Sequence, residues 1–265
     1  MAIVQDFNWN KLQNGSDIRG IALEGVKDEN VNLTPEVAKI LGQAFATWLW
    51  QKVNKPNTEL IISVGRDSRL SGPAIMQATI EGITSVGSGA NDFGMASTPA
   101  MFMSTITAGF ECDGAIMLTA SHLPFNRNGL KFFTAQGGLE KKDITDILAL
   151  AATNKFELAA VTGSITNRDF MSVYAHQFVE QIRQSVNHPT NFDQPLAGLK
   201  IIVDAGNGAG GFYVDRVLQP LGADTTGSQF LEPDGNFPNH VPNPEDPTAM
   251  AAICQAVIEH RADFG

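Results

Sequence analysis

The chain has 265 residues, of which 43% are hydrophobic and 17% are charged, and its formal net charge is −10. This length and composition predict one large or two medium globular domains with a sizeable core. The negative charge argues against a surface for nucleic acid or an anionic membrane, since both reward clustered lysine and arginine. Small anionic ligands stay compatible with it, because a few local cations and backbone amides can hold them.

The two cysteines, Cys112 and Cys254, lie far apart in the sequence and favour free thiols in a reducing compartment. The N-terminal segment lacks the basic and apolar regions of a secretory signal, and no apolar run is long enough to span a bilayer. We therefore expect a cytoplasmic protein, with an organelle reached after processing as the open alternative.

The predicted elements alternate between helices and strands along the chain. Thr34 and Pro35 provide a capping hydroxyl and a proline for a helix whose apolar residues follow helical spacing to Leu49. The later predictions are a buried strand over 59–65, a helix over 71–86, a strand over 112–119, helices over 141–154 and 169–186, a strand with a glycine turn and helix start over 199–211, and a helix over 248–261. This alternation predicts an α/β fold with a parallel or mixed sheet in each unit.

Residues 187–198 contain two prolines and little periodicity, and they predict a linker between two domains. The predicted domains cover 1–190 and 191–265. The residues after the last helix, 261–265, resemble the start of another strand, so we expect the second domain to be cut short at Gly265.

The segment "TASHLPFNRNGLKFF" at 119–133 places Ser121 and His122 just after a buried strand and predicts a turn through Asn-Arg-Asn-Gly before Lys131. Open α/β sheets place reacting groups at the carboxyl ends of their strands. Read alone, the Ser-His pair favours a tight structural loop, because adjacent side chains seldom point at each other. The segment also lacks the G-x-S-x-G nucleophile elbow of hydrolases.

Three other segments place polar residues or glycines beside predicted strands. In "SVGRDSRLSGP", Arg66 and Arg69 flank Asp67 before a helix start that can receive an anion, although a salt-bridged surface turn is the common alternative. In "NGSDIRGIA", Arg19 precedes a glycine, which indicates little by itself. "DAGNGAGG" at 204–211 has the wrong spacing for a dinucleotide fingerprint and favours a tight strand-to-helix turn.

Five segments occur in the order found in the α-D-phosphohexomutases, the superfamily of phosphoglucomutases and phosphomannomutases. They are "GSDIRG", "VGRDSRLSG", "TASHLPFNRNGLKFF", "DAGNGAGG" and "PDGNFPNHVPNPEDP". The chain resembles the N-terminal half of such an enzyme along nearly its full length. The resemblance implies a mixed-sheet, three-layer domain with a phosphoserine loop over 1–190, and a second α/β domain over 191–265 that stops before the metal-binding loop.

The resemblance also implies a reaction, the interconversion of hexose 1-phosphate and hexose 6-phosphate through a phosphoserine and a hexose 1,6-bisphosphate. Ser121 would carry the phosphoryl group, Lys131 would act as general acid and base, and Arg19 would stabilise charge because a guanidinium hardly deprotonates. His122 would orient the loop or contact the phosphate. The implied catalytic residues are Ser121, Lys131, Arg19 and His122, and the implied phosphate- or substrate-binding residues are Arg66 and Asn128.

Family members hold Mg²⁺ with an oxygen of the phosphoserine, here on Ser121, and with three aspartates of a D-x-D-x-D-R loop. Two segments of this chain depart from the family pattern: Leu123 stands where the family has asparagine, and "NGSDIRG" differs from the usual T-S-G-I-R-G opening. The D-x-D-x-D-R loop does not occur in the 265 residues. We therefore expect little or no mutase turnover from this chain alone. The implied partners are a hexose phosphate, a hexose 1,6-bisphosphate activator and the C-terminal half of such an enzyme, with no nucleic acid and no membrane.

Two other functions remain open from the sequence. A non-catalytic sugar-phosphate-binding or regulatory protein on the same scaffold would carry no phosphate adduct at Ser121. A serine hydrolase using Ser121 and His122 would react with a fluorophosphonate, and we expect no such labelling.

Overall fold

The computed structural model of the chain describes residues 7–53 and 55–265. The N-terminal segment in which the sequence shows no secretory signal begins with residues 1–6, which lie outside the described residues. The strands are β1 (Gln13–Asn14), β2 (Asp17–Ile21), β3 (Ile61–Arg66), β4 (Gly89–Met95), β5 (Gly114–Leu118), β6 (Arg127–Thr134), β7 (Gly137–Gly138) and β8 (Ile165–Asn167). The α-helices are α1 (Pro35–Lys52), α2 (Gly72–Ser85), α3 (Thr98–Met103), α4 (Lys141–Thr153), α5 (Phe170–Val186) and α6 (Pro247–His260). Short 3₁₀-helices cover Trp9–Leu12, Asn57–Glu59 and Ala209–Gly211, and a π-helix covers Val214–Leu218.

The chain divides into two compact units. The first contains the described residues of 7–120 together with Phe125–Arg168, and the second contains Ser121–Pro124 together with Asp169–Gly265. The contacts thus divide the chain before α5, whereas the sequence predicts a domain boundary after that helix, at residues 190 and 191. The difference arises because α5 buries Ala175 and Val179 in the apolar cluster of the second unit.

The first unit contains a mixed sheet with the strand order β1-β2-β6-β5-β3-β4-β8, and β7 pairs with β6. β3 pairs in parallel with both β4 and β5, and β4 pairs in parallel with β8. The pairs β1–β2, β2–β6, β5–β6 and β6–β7 are antiparallel. The predicted α/β fold with a mixed sheet is confirmed in this unit.

The order of the connections gives the first unit its three layers. The chain runs from β3 through α2 to β4 on one side, and then through α3 to β5 on the other side of β3. Right-handed crossovers in opposite directions put α2 and α3 on opposite faces of the sheet. α1 is capped as predicted, with Thr34 Oγ1 accepting a hydrogen bond from Val37 N, and it packs its buried face with α2 and α4.

β6 corrects one prediction from the sequence. The Asn-Arg-Asn-Gly stretch predicts a turn before Lys131, but Arg127 already lies in the strand, and the turn ends before it. Pairing with β2 and β5 on its two sides outweighs the local turn signal of Asn-Gly. Lys131 therefore lies within the sheet.

The second unit has helices but only isolated β-bridges among its described residues. The strand predicted after residue 199 is an extended segment in which Lys200 bridges to Asp224, and Ile201 bridges to Phe264. Because these two neighbouring residues pair with different segments, the bridges do not extend into a strand ladder. Its buried apolar cluster consists of Ala175, Val179, Val217 and Leu221.

None of the helices in the described part of the chain is both long and apolar enough to cross a membrane. Cys112 is buried, Cys254 is exposed, and both are free thiols.

Candidate functional site

Two antiparallel strands bring three charged side chains onto one face of the sheet in the first unit. β2 and β6 pair with Arg19 opposite Gly129. Residues two apart on a strand share a face, so Asp17 and Arg19 point to the same side. The same register sets Lys131 of β6 beside Asp17, with which it forms an ion pair.

Asp17 binds both cations through a single oxygen. Its Oδ2 accepts hydrogen bonds from Arg19 Nη2 at 3.2 Å and from Lys131 Nζ at 2.5 Å. The three side chains are only 14%, 15% and 24% exposed for Asp17, Arg19 and Lys131 respectively. Arg19 also donates from Nη1 to the carbonyl oxygen of Ala120 at 3.1 Å, so this cluster is tied to the residue that precedes Ser121.

Gly129 provides the space for the Arg19 side chain. A Cβ atom at this position would lie 2.4 Å from Ile18 O, 2.9 Å from Thr119 O and 3.0 Å from Arg19 Cγ. Two of these neighbours are backbone atoms: Ile18 O belongs to the paired strand β2, and Thr119 is fixed by the hydrogen bond from its N to Gly129 O at 3.0 Å. The Asn-Gly pair therefore serves strand packing here.

A second polar cluster connects the carboxyl ends of β3 and β5. Asp67 Oδ1 accepts from the backbone N of Arg69 at 3.0 Å, and Oδ2 accepts from Arg69 Nε at 3.2 Å and from Thr119 Oγ1 at 2.6 Å. Arg69 is fully buried and also donates from Nη1 to Arg127 O at 3.0 Å. Burial lowers the pKa of Arg69, while the charge of Asp67 acts against that decrease. Arg69 is therefore a structural cation that fixes the strand ends.

These strand ends form the crevice that open α/β sheets use for ligands. β4 and β5 lie on opposite sides of β3, so the topological switch point is between β3 and β5. Asp67 follows β3, and Thr119 and Ala120 follow β5 at this point. Asp67 holds Thr119, and Arg19 holds Ala120.

Ser121 comes next in the chain and has an unusual backbone. Its φ angle is +56°, in the left-handed region that residues with a side chain seldom adopt. The side chain is exposed, and so is that of His122. A non-glycine residue in this conformation costs on the order of 1 kcal/mol or more and often marks a functional site.

Within the second unit, Ser121 and His122 line a cavity of about 300 Å³ with the loop Pro242–Glu245. Asn243 Oδ1 accepts a hydrogen bond from the backbone N of Glu245, which shapes this loop. A cavity of this volume is large enough to admit a small polar group.

The second unit also contains a buried polar cluster that joins the glycine turn to the proline-rich loop. His240 Nε2 lies 3.1 Å from Asp204 Oδ1, and both side chains are 9% exposed. Burial lowers the pKa of His240, but its hydrogen bonds to Val241 O and Asp204 outweigh burial, and the pKa is raised overall. Asn207 donates to Glu232 O at 2.9 Å and accepts from Asn239 Nδ2 at 2.8 Å.

The structure brings two of the predicted site residues together through an aspartate that the prediction omitted. Arg19 and Lys131 both donate hydrogen bonds to Asp17. The sequence signal for Asp17 was its position two residues before Arg19, which places both side chains on one face of a strand. Asn128 is buried, with Nδ2 donating to Ser71 Oγ at 2.9 Å and Oδ1 accepting from Gly129 N. Arg66 lies at the end of β3 and donates from Nη1 to Asp67 O at 3.0 Å.

The Mg²⁺ that the resemblance implies belongs to the complete enzyme, with its three aspartate ligands outside this chain. Within residues 7–53 and 55–265, no group of three or more histidine, cysteine, aspartate or glutamate side chains could hold a metal ion. Arg19 Nε is buried without a hydrogen-bond partner among the same residues, and an orphaned donor suits an anion better than a cation.

Two protein-family models match most of the chain. Residues 10–158 match the phosphoglucomutase/phosphomannomutase alpha/beta/alpha domain I, and residues 176–265 match domain II of the same family.

Individual proteins match over the same region. The chain is 32% identical over 250 residues to a phosphoglucomutase of Neisseria meningitidis, covering 94% of this chain and 48% of that protein. It is 32% identical over 233 residues to a phosphomannomutase/phosphoglucomutase of Pseudomonas putida, covering 86% of this chain and 47% of that one. A solved phosphoglucomutase/phosphomannomutase family protein from Burkholderia thailandensis superposes with a TM-score of 0.71 at 28% identity, covering 91% of this chain and 48% of that chain. The chain thus spans about half the length of the relatives it matches.

Proposed function

The chain belongs to the phosphoglucomutase/phosphomannomutase family, and we propose that it carries the phosphoserine half of a phosphohexomutase. The substrates in this proposal are hexose 1-phosphate and hexose 6-phosphate, and the carrier is Ser121. The observation that carries the proposal is the backbone of Ser121. An exposed serine is held at φ +56° directly after two residues that Asp67 and Arg19 fix at the switch point.

The proposed chemistry is a reversible phosphoryl transfer between Ser121 and a sugar oxygen. Ser121 Oγ forms a bond to the phosphorus of a hexose 1,6-bisphosphate while the bond from phosphorus to the sugar oxygen breaks. The proton released from Oγ goes to a base, and an acid supplies a proton to the sugar oxygen. Transfer back to the other hydroxyl of the turned sugar completes the isomerisation.

Within this proposal each predicted side chain has a role set by its chemistry. Lys131 provides the amine for acid–base work, since a lysine can lose its proton and a guanidinium hardly can. Arg19 stabilises negative charge on the phosphoryl group. His122 lies on the same loop as Ser121 and orients it or contacts the phosphate. Arg66, at the end of β3, binds phosphate oxygens, and Asn128, which is buried, supports that binding through its hydrogen bond to Ser71 Oγ.

The metal remains part of the proposal for the whole enzyme only. Mg²⁺ would neutralise charge on the transferred group, but the described residues of this chain offer no set of ligands beyond a phosphate on Ser121. We therefore propose that the chain alone has little or no turnover and needs the remaining half of such an enzyme as its partner. A cytoplasmic location, without nucleic-acid or membrane partners, completes the proposal.

Labelling by glucose 1,6-bisphosphate tests the proposal. We would compare the chain with a fusion in which it is followed by the remaining half of the Neisseria meningitidis relative, and map phosphate by mass spectrometry of the intact protein and its peptides. We expect one phosphoryl group on Ser121 in the fusion, together with turnover of glucose 1-phosphate, and no label in Ser121→Ala.

The results that would contradict the proposal are equally specific. Label on another residue, or a folded fusion that binds the bisphosphate without ever becoming phosphorylated, would favour a non-catalytic sugar-phosphate-binding protein. Ready turnover of glucose 1-phosphate by the 265-residue chain alone would contradict the need for the other half.

A further inference from the structure

We propose that Asp17 is a positioning residue of the phosphoryl-transfer site, which holds Lys131 and Arg19 in their working positions and, through Arg19, orders the backbone before Ser121. This inference rests on the proposed function. It assigns a role to a residue that neither the sequence analysis nor the family comparison singles out.

The first argument is the geometry of the shared oxygen. Asp17 Oδ2 accepts from both Arg19 Nη2 and Lys131 Nζ, at 3.2 Å and 2.5 Å. A carboxylate that serves only to pin two strands has no need to gather two cations on one atom. Here the single oxygen sets the separation and direction of both cations, which is what two groups acting on one substrate require.

The second argument is electrostatic. Arg19 and Lys131 project from the same face, and their side chains are only 15% and 24% exposed. Two cations side by side at low exposure repel each other more strongly than they would in water. Asp17, at 14% exposure, is the carboxylate that the structure shows bonded to both of them. Its removal would drive the cations apart.

The third argument is the path from Asp17 to the carrier loop. One end of the Arg19 guanidinium is bonded to Asp17 and the other end, through Nη1, to the carbonyl oxygen of Ala120 at 3.1 Å. Ala120 is the last residue before Ser121, whose φ of +56° must be maintained by its neighbours. Asp17 therefore acts on the loop indirectly. It holds the rigid, planar guanidinium of Arg19, which in turn holds the carbonyl oxygen of Ala120.

The chain offers a matched control in Asp113. That carboxylate is 16% exposed, binds Lys55 Nζ at 2.9 Å through both oxygens, and also accepts from Ile61 N at 2.8 Å. It lies in the same unit, before the start of β5, whereas Thr119 and Ala120 follow the end of that strand. A change from carboxylate to amide at Asp113 therefore reproduces the loss of a lysine partner without touching the cluster around Asp17.

The test compares Asp17→Asn, Asp17→Glu and Asp113→Asn with the unaltered 265-residue chain. The first readout is the side-chain ¹⁵N signal of the Lys131 ammonium group, which is visible by NMR when a hydrogen bond slows its exchange with water. The second is hydrogen–deuterium exchange of peptides covering 119–125. The third, in the fusion with the other half, is the rate at which glucose 1,6-bisphosphate labels Ser121.

We expect Asp17→Asn to lose the Lys131 signal, to raise exchange over 119–125 severalfold and to slow labelling by about tenfold or more. Asp17→Glu should restore part of all three, because it keeps the anion, and Asp113→Asn should leave all three unchanged. Unchanged exchange and labelling in a folded Asp17→Asn protein, or equal changes in Asp113→Asn, would overturn the inference. If Asp17→Asn does not fold, the same decision rests on Asp17→Glu, which must then show intermediate values.

The first two readouts do not depend on Ser121 chemistry. A fusion that is never labelled, together with both structural effects in the Asp17→Asn chain, would refute the proposed function and leave the positional role of Asp17 standing. Normal labelling in Asp17→Asn would refute the inference and leave the proposed function intact.

Discussion

The two units of the molecule hold their polar residues in different ways. In the first unit, Asp17, Arg19 and Lys131 lie on paired strands of an eight-stranded sheet, so the hydrogen-bond register fixes which side chains meet. In the second unit, Asp204 and His240 lie on segments that form no strand ladder among the described residues, and a hydrogen bond between the two side chains brings them together. The register of paired strands therefore orients the charged groups of the first unit, whereas the Asp204–His240 pair of the second unit is held by a hydrogen bond between its own side chains.

This difference leads to a ranking of substitutions. Substitutions in the first unit should lower the free energy of unfolding most where they remove the partner of a buried charge or add atoms against the backbone of paired strands. Changes in the second unit should be milder and should depend on pH where a histidine is involved.

The largest effect is expected for Asp67→Asn in the first unit. Arg69 is fully buried and keeps its charge, so in the variant it would lose the negative charge of Asp67 that offsets its burial. We expect a loss of about 3–5 kcal/mol in the free energy of unfolding, measured by denaturant titration. Glu29→Gln is the control, since its partner Arg127 is 31% exposed, and it should cost less than about 1 kcal/mol. Equal losses in the two variants would show that burial of the cation does not set the cost.

A smaller effect is expected from adding one methyl group to a glycine. At Gly129 the new Cβ would lie 2.4 Å from Ile18 O, which paired strands hold in place, so Gly129→Ala should cost about 1–3 kcal/mol. At Gly210 in the second unit the same atom would meet Ala205 Cβ at 3.9 Å, an ordinary contact. Gly210→Ala should therefore change stability by less than about 0.5 kcal/mol in the same titration. A neutral Gly129→Ala would mean that β2 and β6 can separate, contrary to the rigid ladder described above.

The smallest effect is expected at His240, and it should depend on pH. The pKa of His240 is raised in the folded chain, because hydrogen bonds to Val241 O and Asp204 outweigh the opposing effect of burial. A raised pKa stabilises the fold below the ordinary histidine value of 6.5, and this stabilisation is lost as the pH rises through the folded-state pKa. The stability difference between the wild type and His240→Gln should thus be larger at pH 5.5 than at pH 8. A difference that is constant with pH, measured by thermal unfolding, would show that the protonated histidine contributes nothing.

The sequence predicted the elements of the first unit well where local signals agree with packing. The cap at Thr34 and the apolar spacing that follows it gave the correct helix, since both describe the same buried face. The turn predicted before Lys131 was wrong, because the Asn-Gly signal is local while the pairing of β6 with β2 involves residues about 100 positions apart. The strand predicted after residue 199 became single bridges for the related reason that partners decide whether an extended segment forms a ladder.

The candidate site shows the same limit. The residues carried over from the family include Arg19 and Lys131. The position of Asp17 two residues before Arg19 indicates a shared strand face, but it does not indicate that Asp17 also bonds to Lys131. That contact depends on the register of two strands that are distant in the chain. The left-handed backbone at Ser121 was equally hidden, since serine has no preference for that conformation.

In the proposed reaction Ser121 carries a phosphoryl group between two oxygens of a hexose, and a pulse of label followed by a chase with unlabelled sugar would follow that group. The fusion with the other half would be labelled with ³²P from glucose 1,6-bisphosphate, freed of the donor and then given unlabelled glucose 1-phosphate. The account predicts that the label sits on Ser121, leaves it when the sugar is added and reappears in a hexose bisphosphate. A label that stays on the protein, or that never reaches Ser121 in a folded fusion, would contradict the account.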